Sequence, residues 1–284
     1  MEPGEPDRRA TTSSDAQAWD WLRQGLRWRL QRLLGAIAKG SPPHRTPSPY
    51  VLPEGGYDAQ RYWGDRHRRY RHSFRGVGDA SKSEEQNLHE YVAAVGTIAE
   101  LLASISFNPG GKSCLDIGCG NGFWTGILKA WGISAYTGVD ITDALFDLLR
   151  NRFPDFRFIS GSLPALPLEP GYQLITMIDV TQHITDDTEL SRILEHVRAL
   201  LAPDGVFVVT FWNQSRPQEQ FYETFRPFAF YTASLEGLAH TAPRPFRDKF
   251  VAAFHNPRRR PEALRIEPLP AASILRVAEQ VLAA

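Results

Sequence analysis

The chain has few cysteines and no excess of charge of either sign. Its 284 residues include two cysteines, and 32 basic side chains balance 32 acidic ones. Cys114 and Cys119 have no further ligands at metal-binding spacing, so we expect no metal site and interpret them as small buried residues in a reducing compartment. A net charge of zero gives no general attraction to a polyanion, and we therefore expect no nucleic-acid partner.

Long apolar segments are also absent from the sequence. There is no uninterrupted apolar run of 18 residues and no hydrophobic core of a signal peptide. A membrane-spanning helix needs about 20 predominantly apolar residues, and a secreted chain needs a signal peptide. We therefore expect a cytoplasmic protein, for which contact with lipid would be peripheral.

The most informative segment is rich in glycine and lies between two predicted strands. Residues 116–122 read Asp-Ile-Gly-Cys-Gly-Asn-Gly, and Asp140 follows 18 residues after the last of these glycines. We predict strands over residues 113–117 and 135–139, with a helix over about residues 123–131 between them. Glycines at alternate positions let the backbone bend at positive φ and let a ligand approach without meeting a Cβ atom. The segment therefore predicts a nucleotide-sized pocket.

The spacing of these residues argues against two common nucleotide sites. The dinucleotide fingerprint needs a third glycine for close helix packing, and Phe123 stands at that position. A phosphate loop ends in Lys followed by Ser or Thr, which this turn lacks. The carboxylate of Asp116 would repel a pyrophosphate and attract a cation. The pattern favours an adenosine that carries a positive group, and a nicotinamide-dependent oxidoreductase is the less favoured alternative.

These residues resemble the first motif of the class I S-adenosylmethionine-dependent methyltransferases, of the type that acts on small molecules. Asp140 matches the acidic residue that closes the second strand of that family. The resemblance covers about residues 57–256 and implies an α/β, Rossmann-like methyltransferase fold. That fold has a seven-stranded, mostly parallel sheet with one antiparallel strand and helices on both faces. The resemblance also implies an enzyme that uses S-adenosyl-L-methionine as its methyl donor.

The resemblance assigns further residues to the cofactor. The first motif would contact the methionine part, and Asp140 would accept hydrogen bonds from both ribose hydroxyls. Ser162 stands where the family often has an Asp that reads the adenine, so its bond to the adenine amine would lack a full charge. Asp179 ends a predicted fourth strand, over residues 172–179, and would lie over the cofactor. The cofactor-binding residues predicted in this part of the chain are Asp116, Gly118, Cys119, Gly120, Gly122, Asp140, Ile141, Ser162, Leu163 and Asp179.

Residues 57–70 mix aromatic and basic side chains and contain a Tyr-Trp-x-x-Arg-His segment. Methyltransferases that start with a similar segment use it as a lid across the cofactor mouth. In that role Trp63 would exclude water from the sulfonium, and Arg66 would meet the methionine carboxylate. The alternative is ordinary surface packing with solvated arginines.

The reaction that the resemblance implies needs little covalent help from the protein. Transfer of a methyl group from a sulfonium is an in-line displacement that depends on positioning. A hydroxyl acceptor would also need a base, and His183, after the fourth strand, is the candidate, with helix capping or packing as its alternative role. No Asn/Asp-Pro-Pro-aromatic run follows that strand, which argues against nucleic-acid amines.

We therefore favour a hydroxyl on a small-molecule, glycan or lipid-like acceptor. Nitrogen and carbon acceptors stay open. We expect residues 215–240 to shape the acceptor pocket. A non-catalytic S-adenosylmethionine-binding or scaffold protein is an alternative, because a fold does not determine function.

The remaining elements are predicted from periodicity and capping signals. We expect a helix capped by Ser83 over residues 84–104 and another capped by Asp186 that runs through residue 201. The fifth strand is expected over residues 205–212 and the final, antiparallel strand over 246–254. A strand near residues 229–232 would precede it.

The two ends of the chain lie outside the predicted methyltransferase domain, which we place over residues 49–256. The N-terminal extension, residues 1–48, begins with a polar, disordered stretch and continues as a helix over residues 15–39. Its apolar stripe falls within an arc of about 80° flanked by arginines. We favour docking of this helix on this or another subunit over contact with an anionic membrane or a partner-dependent helix. A proline-rich linker follows, and a C-terminal tail with a short helix is expected over residues 257–284.

Overall fold

The computed structural model describes residues 48–214, 220–262 and 266–283. The chain divides into two units, Met1–Pro49 and Tyr50–Ala284, and the elements below belong to the second. The predicted disordered start, the amphipathic helix over residues 15–39 and the first part of the linker lie outside the described residues. Within the described ranges, no helix is long and apolar enough to cross a membrane.

The described residues form one mixed sheet of eight strands in the order β3-β2-β1-β4-β5-β8-β6, with β7 also paired to β8. Strands β1 to β5 are parallel, and β8 runs antiparallel to β5. The strands are β1 Ser113–Ile117, β2 Ala135–Asp140, β3 Arg157–Ser160, β4 Tyr172–Met177, β5 Leu201–Phe211, β6 Ala239–His240, β7 Arg244–Phe246 and β8 Lys249–His255.

This topology confirms the Rossmann-like, mostly parallel sheet with an antiparallel final strand. The predicted count of seven strands is wrong, because two short strands, β6 and β7, both pair with β8. Each contributes two or three residues, which is too short for a period of two to be recognised in the sequence.

The sheet is buried on both faces by helices, as the fold class requires. Successive residues of β1 show this arrangement, since Cys114 belongs to one apolar cluster and Leu115 to the other. The first cluster includes residues of α3, α4 and α8, and the second includes residues of α6 and α7. The described helices are α1 Ala59–Tyr70, α2 Phe74–Val77, α3 Glu84–Ser104, α4 Phe123–Ala130, α5 Phe146–Arg152, α6 Asp187–Leu200, α7 Phe228–Ser234 and α8 Ala271–Leu282.

Both predicted helix caps are present. The Ser83 hydroxyl accepts from the Gln86 amide while the Gln86 side chain accepts from the Ser83 amide, which completes a capping box at the start of α3. Asp186 accepts from the Glu189 amide at the start of α6. At the other end of the chain, α8 packs against α4, where Gly126 leaves room for Val277.

The strand expected near residues 229–232 is wrong, because this segment lies in helix α7. Phe228 and Tyr231 both pack on Phe211, with ring centroids 5.1 and 4.9 Å away. Residues three apart share one face of a helix but point to opposite faces of a strand. The aromatic contacts with β5 therefore favour the helix over the strand propensity of the same residues.

Candidate active site

A cavity with about 630 Å³ of empty space, part of it open to solvent, lies where β1, β2 and β4 end at the same edge of the sheet. The wall combines residues of the helices α1 to α4 with residues that follow the three strands. Its residues are Trp63, His67, Val77, Tyr91, Gly118, Cys119, Gly120, Asn121, Trp124, Asp140, Ile141, Ile178, Asp179, Val180 and His183.

The glycine loop between β1 and α4 forms the floor of this cavity. Gly118 and Gly120 have φ values of +80° and +51°, and a Cβ atom on Gly118 would overlap the Val180 side chain. The Gly118 and Cys119 amides donate to the Val139 carbonyl at 2.7 and 3.2 Å, which joins the loop to β2. Only glycine fits this turn, so the backbone itself faces the cavity.

Asp140 lies at the end of β2 and lines the cavity beside this loop. Its carboxylate accepts from the Gly120 amide at 3.0 Å and from the Thr142 amide at 3.2 Å. Each carboxylate oxygen has two lone pairs, so one on each oxygen stays available to a ligand. The two amides fix the orientation of the carboxylate before any ligand binds.

Asp116 lies inside the sheet and is not among the residues that line the cavity. The hydroxyls of Tyr136 on β2 and Thr176 on β4 each donate to its carboxylate at 2.7 Å. Burial raises the pKa of Asp116 to about 6, against the hydroxyl bonds that lower it. The acid therefore links three neighbouring strands, and its contact with the cofactor stays a prediction.

Asp179 follows β4 and lines the cavity, although its two carboxylate oxygens are themselves buried. Its backbone has a φ of +62°, and its amide donates to the Thr210 hydroxyl at 2.7 Å. An oxygen of the carboxylate lies 2.9 Å from Arg247 Nη2, and the other lies 3.2 Å from Lys249 Nζ. These two cations outweigh the effect of burial and lower the pKa of Asp179.

Sequence reasoning missed Arg247 and Lys249. They come from the turn and start of the hairpin formed by β7 and β8, about seventy residues after Asp179. No local pattern shows that a strand end and a distant hairpin share a charge. The single available signal is that the two basic residues alternate around Asp248 in a segment predicted as a strand.

The lid residues predicted on α1 divide into two groups. Trp63 lies in the cavity wall, and its ring centroid is 4.7 Å from that of His183. Its indole donates to the Tyr57 hydroxyl at 3.2 Å, and that hydroxyl donates to the His183 carbonyl at 2.8 Å. This chain of contacts joins α1 to the turn after β4 and closes one side of the cavity.

Arg66 is not among the residues that line the cavity. Its guanidinium donates to the carbonyls of Gly76, Arg75 and Gly78 at 2.7, 3.0 and 2.6 Å. These bonds hold the segment that places Val77 in the cavity wall. Contact between Arg66 and a methionine carboxylate stays a prediction, and it would require the guanidinium to exchange these partners.

His183 lines the cavity at the end of a 3-10 turn, Thr181–His183. Its Nδ1 lies 3.0 Å from the Tyr222 carbonyl, which can only accept, so Nδ1 carries the proton. Nε2 is then an acceptor, 3.2 Å from the Gln182 side-chain nitrogen. Burial lowers the pKa of His183 to about 4, so the ring is neutral at neutral pH.

His67 is a second histidine in the wall, and sequence reasoning assigned it no role. It lies on α1, is 4% exposed, and burial lowers its pKa. The Tyr-Trp-x-x-Arg-His segment contains it, so a signal was present. Among the described residues, no group of three or more His, Cys, Asp or Glu side chains could hold a metal ion.

Besides Asp116 and Arg66, three predicted cofactor residues lie outside the cavity wall. Gly122 precedes α4 at a φ of +80°, where a Cβ atom would overlap Leu149. Leu163 is buried in the apolar cluster that contains α6, and Ser162 precedes the 3-10 turn Leu163–Ala165. The Gly161 amide donates to the Asp140 carbonyl at 2.8 Å, which brings this segment next to the cavity. Adenine contact by Ser162 and Leu163 stays a prediction.

Comparison with known proteins identifies the family. A family model described as "Methyltransferase domain" matches residues 88–247, so the chain belongs to the methyltransferase-domain family. The resemblance found in the sequence is therefore confirmed.

Two curated relatives and one solved structure illustrate this membership. Trans-aconitate 2-methyltransferase of Enterobacter sp. (strain 638) is 35% identical over 39% of this chain and 43% of its own length. The dTDP-3-amino-3,6-dideoxy-alpha-D-glucopyranose N,N-dimethyltransferase of Streptomyces fradiae is 28% identical over 48% of this chain and 51% of its own. The chain thus spans about half the length of these relatives or less.

The N-methyltransferase NodS from Bradyrhizobium japonicum, solved in complex with S-adenosyl-L-homocysteine, has a similar structure. It superposes with a TM-score of 0.51, is 16% identical, and the match covers 70% of this chain and all of that one. At this identity the likeness shows a shared fold alone.

Proposed function

We propose that the protein is a methyltransferase that moves a methyl group from S-adenosyl-L-methionine to a small-molecule, glycan or lipid-like acceptor. One observation carries this proposal: a single cavity joins the glycine loop to Asp140 on its β2 side and Asp179 on its β4 side. Among the described residues that line it, none is a lysine or an arginine. The Asp140 carboxylate suits a ligand with hydroxyl groups, and a wall without cationic side chains does not repel a ligand that carries positive charge.

The residues present fit this cofactor. Asp140 has the lone pairs to accept from two ribose hydroxyls, and a charged acceptor strengthens such bonds. The bare glycine backbone admits a nucleoside that a Cβ atom would obstruct. Trp63 covers the side of the cavity that α1 forms and would exclude water there. When bound, the cofactor supplies a methyl group activated by a sulfonium.

His183 is our candidate for the base, on the condition that the acceptor is a hydroxyl. Its tautomer leaves Nε2 as the atom that can take a proton, and the pKa of about 4 keeps this atom unprotonated at neutral pH. The same pKa makes the ring a weak base, so positioning would supply more of the rate than proton transfer. The Gln182 amide has to give up its contact with Nε2 when the proton arrives.

The acceptor atom is proposed as a hydroxyl oxygen, with nitrogen as the second candidate. The names of the two curated relatives specify trans-aconitate and an amino sugar, so similarity does not choose among acceptors. A non-catalytic S-adenosylmethionine-binding or scaffold protein is compatible with the same cavity. A nicotinamide-dependent oxidoreductase is disfavoured by Phe123, which is buried where the dinucleotide fold needs a glycine.

Isothermal titration calorimetry with S-adenosyl-L-homocysteine and with NAD tests the donor. We expect the first ligand to bind and the second to give no heat of binding. Binding of NAD alone would replace this proposal with the oxidoreductase. Turnover is then tested by supplying S-adenosyl-L-methionine with each of a panel of alcohols and amines and measuring the S-adenosyl-L-homocysteine that forms. Tight binding of S-adenosyl-L-homocysteine without any such product would favour the scaffold protein.

A further inference from the structure

His67 is a buried residue of the cavity wall whose ring has no hydrogen-bond partner in the described part of the chain. The residue is 4% exposed, and it lines the cavity from helix α1. Although the ring makes no hydrogen bond there, neither of its nitrogens is among the fully buried polar atoms that lack a partner. The indole nitrogen of Trp124, in the same wall, is such an atom. The ring nitrogens of His67 therefore keep accessible surface, and a ligand can reach them from the cavity.

Helix α1 brings His67 to the Asp140 side of the cavity. Trp63 and His67 lie about one turn apart on this helix, and their ring centroids are 5.8 Å apart. Gly64 lies on the face that packs on the segment after β2, since a Cβ atom on Gly64 would lie 3.4 Å from the Thr142 hydroxyl oxygen. The Thr142 amide in turn donates to the Asp140 carboxylate. The same helix thus contributes Trp63 and His67 to the wall and packs where Asp140 is held.

The chemistry of His67 complements that of Asp140. Burial lowers the pKa of His67, so its ring is neutral at neutral pH, and the nearby Asp140 carboxylate opposes this effect by a smaller amount. A neutral imidazole presents one N–H donor, whereas a carboxylate can only accept. A ribose hydroxyl that donates to Asp140 still has lone pairs on its oxygen, and these need a donor. His67 is the residue beside Asp140 that can supply one.

We propose that His67 binds the cofactor ribose together with Asp140, by donating a hydrogen bond to the oxygen of one of the two hydroxyls. The inference rests on the proposed function and adds a binding residue from α1 to a contact that the sequence assigned to Asp140 alone. A bound ribose would then connect α1 to the end of β2.

Calorimetry on the full chain with S-adenosyl-L-homocysteine and its 2′-deoxy and 3′-deoxy analogues tests the contact. His67→Leu removes the ring nitrogens and keeps an apolar side chain of similar size. It should weaken binding of the parent ligand about threefold to tenfold, the effect of one hydrogen bond between neutral groups. One deoxy analogue lacks the hydroxyl that His67 binds, and His67→Leu should bind this analogue no more weakly than the wild type does.

A conservative variant and a control separate this effect from damage to the fold. Glutamine can supply an N–H donor from the same position of the helix, so His67→Gln should bind the parent ligand more tightly than His67→Leu does. His89 is an exposed histidine of α3, and His89→Leu should leave all three affinities unchanged.

The outcomes distinguish failure of this inference from failure of the proposed function. If the wild type binds none of the three ligands, the proposed function fails and this inference fails with it. If the wild type binds S-adenosyl-L-homocysteine but His67→Leu binds it equally well, or loses the same affinity for all three ligands, the proposed function stands and the ribose contact of His67 is overturned.

Discussion

Replacement of Asp140 by alanine tests the contact on which cofactor binding depends. Two of its lone pairs hold the Gly120 and Thr142 amides, so two are left for the two ribose hydroxyls. Hydrogen bonds to a charged group contribute about 1.5 to 3 kcal/mol. Part of this is offset, because water entering the cavity can satisfy the amides that the variant releases. We therefore expect a total loss of about 1.5 to 3 kcal/mol, which is roughly a tenfold to hundredfold rise in Kd.

Calorimetry with S-adenosyl-L-homocysteine measures this loss, and a ligand change isolates its cause. The 2′-deoxy analogue lacks one of the two hydroxyls, so Asp140→Ala should weaken it less than it weakens the parent ligand. Asp143→Ala removes an exposed acid three residues away and should leave both affinities unchanged. An unaltered Kd in Asp140→Ala, or an equal loss for both ligands, would refute the ribose contact.

Three further predictions concern stability, each measured by urea unfolding. Gly118→Ala should lower the free energy of unfolding by at least about 1 kcal/mol, because alanine is strained at this positive φ. In the double variant with Val180→Ala, only the further cost of the overlap with the Val180 side chain should be recovered. Ser83→Ala should cost about 1 kcal/mol through loss of the capping box of α3, and an unchanged midpoint would contradict that. Burial lowers the pKa of His183 from 6.5 in the unfolded chain to about 4 in the folded protein. The contribution of neutral His183 to the free energy of unfolding is therefore complete above pH 6.5, and it falls by up to about 3 kcal/mol as the pH drops to 4. His183→Gln should flatten this dependence, and an equally steep loss in the variant would exclude His183 as its source.

The elements predicted correctly are those whose signals are local. The strand, glycine turn and helix around residues 113–131 follow from positive-φ glycines and from short apolar runs. The caps at Ser83 and Asp186 follow from a side chain that serves an amide three residues later. Such features need no knowledge of the rest of the fold. They were sufficient to predict the cavity floor and the acid beside it.

The parts that were missed depend on contacts between distant segments. Arg247 and Lys249 approach Asp179 from a hairpin about seventy residues later in the chain. The α7 segment is rich in aromatic residues, which favour strands, but Phe228 and Tyr231 can both contact Phe211 only if the segment is a helix. In both cases the deciding partner is identified only by tertiary structure.

The three acids around the glycine loop show how the same residue type acquires different chemistry. Hydroxyls bind Asp116 within the sheet, and burial raises its pKa to about 6, so it can hold a proton near neutral pH. Two cations bind Asp179, and its pKa is lowered although its side chain is also largely buried. The partners of both acids lie in other segments of the chain, and the family resemblance implied a common role for the two acids as cofactor ligands. Asp140 is therefore the acid of the three that keeps lone pairs available to a ligand, whereas Asp116 links the strands that hold the loop in place and Asp179 anchors the hairpin of β7 and β8.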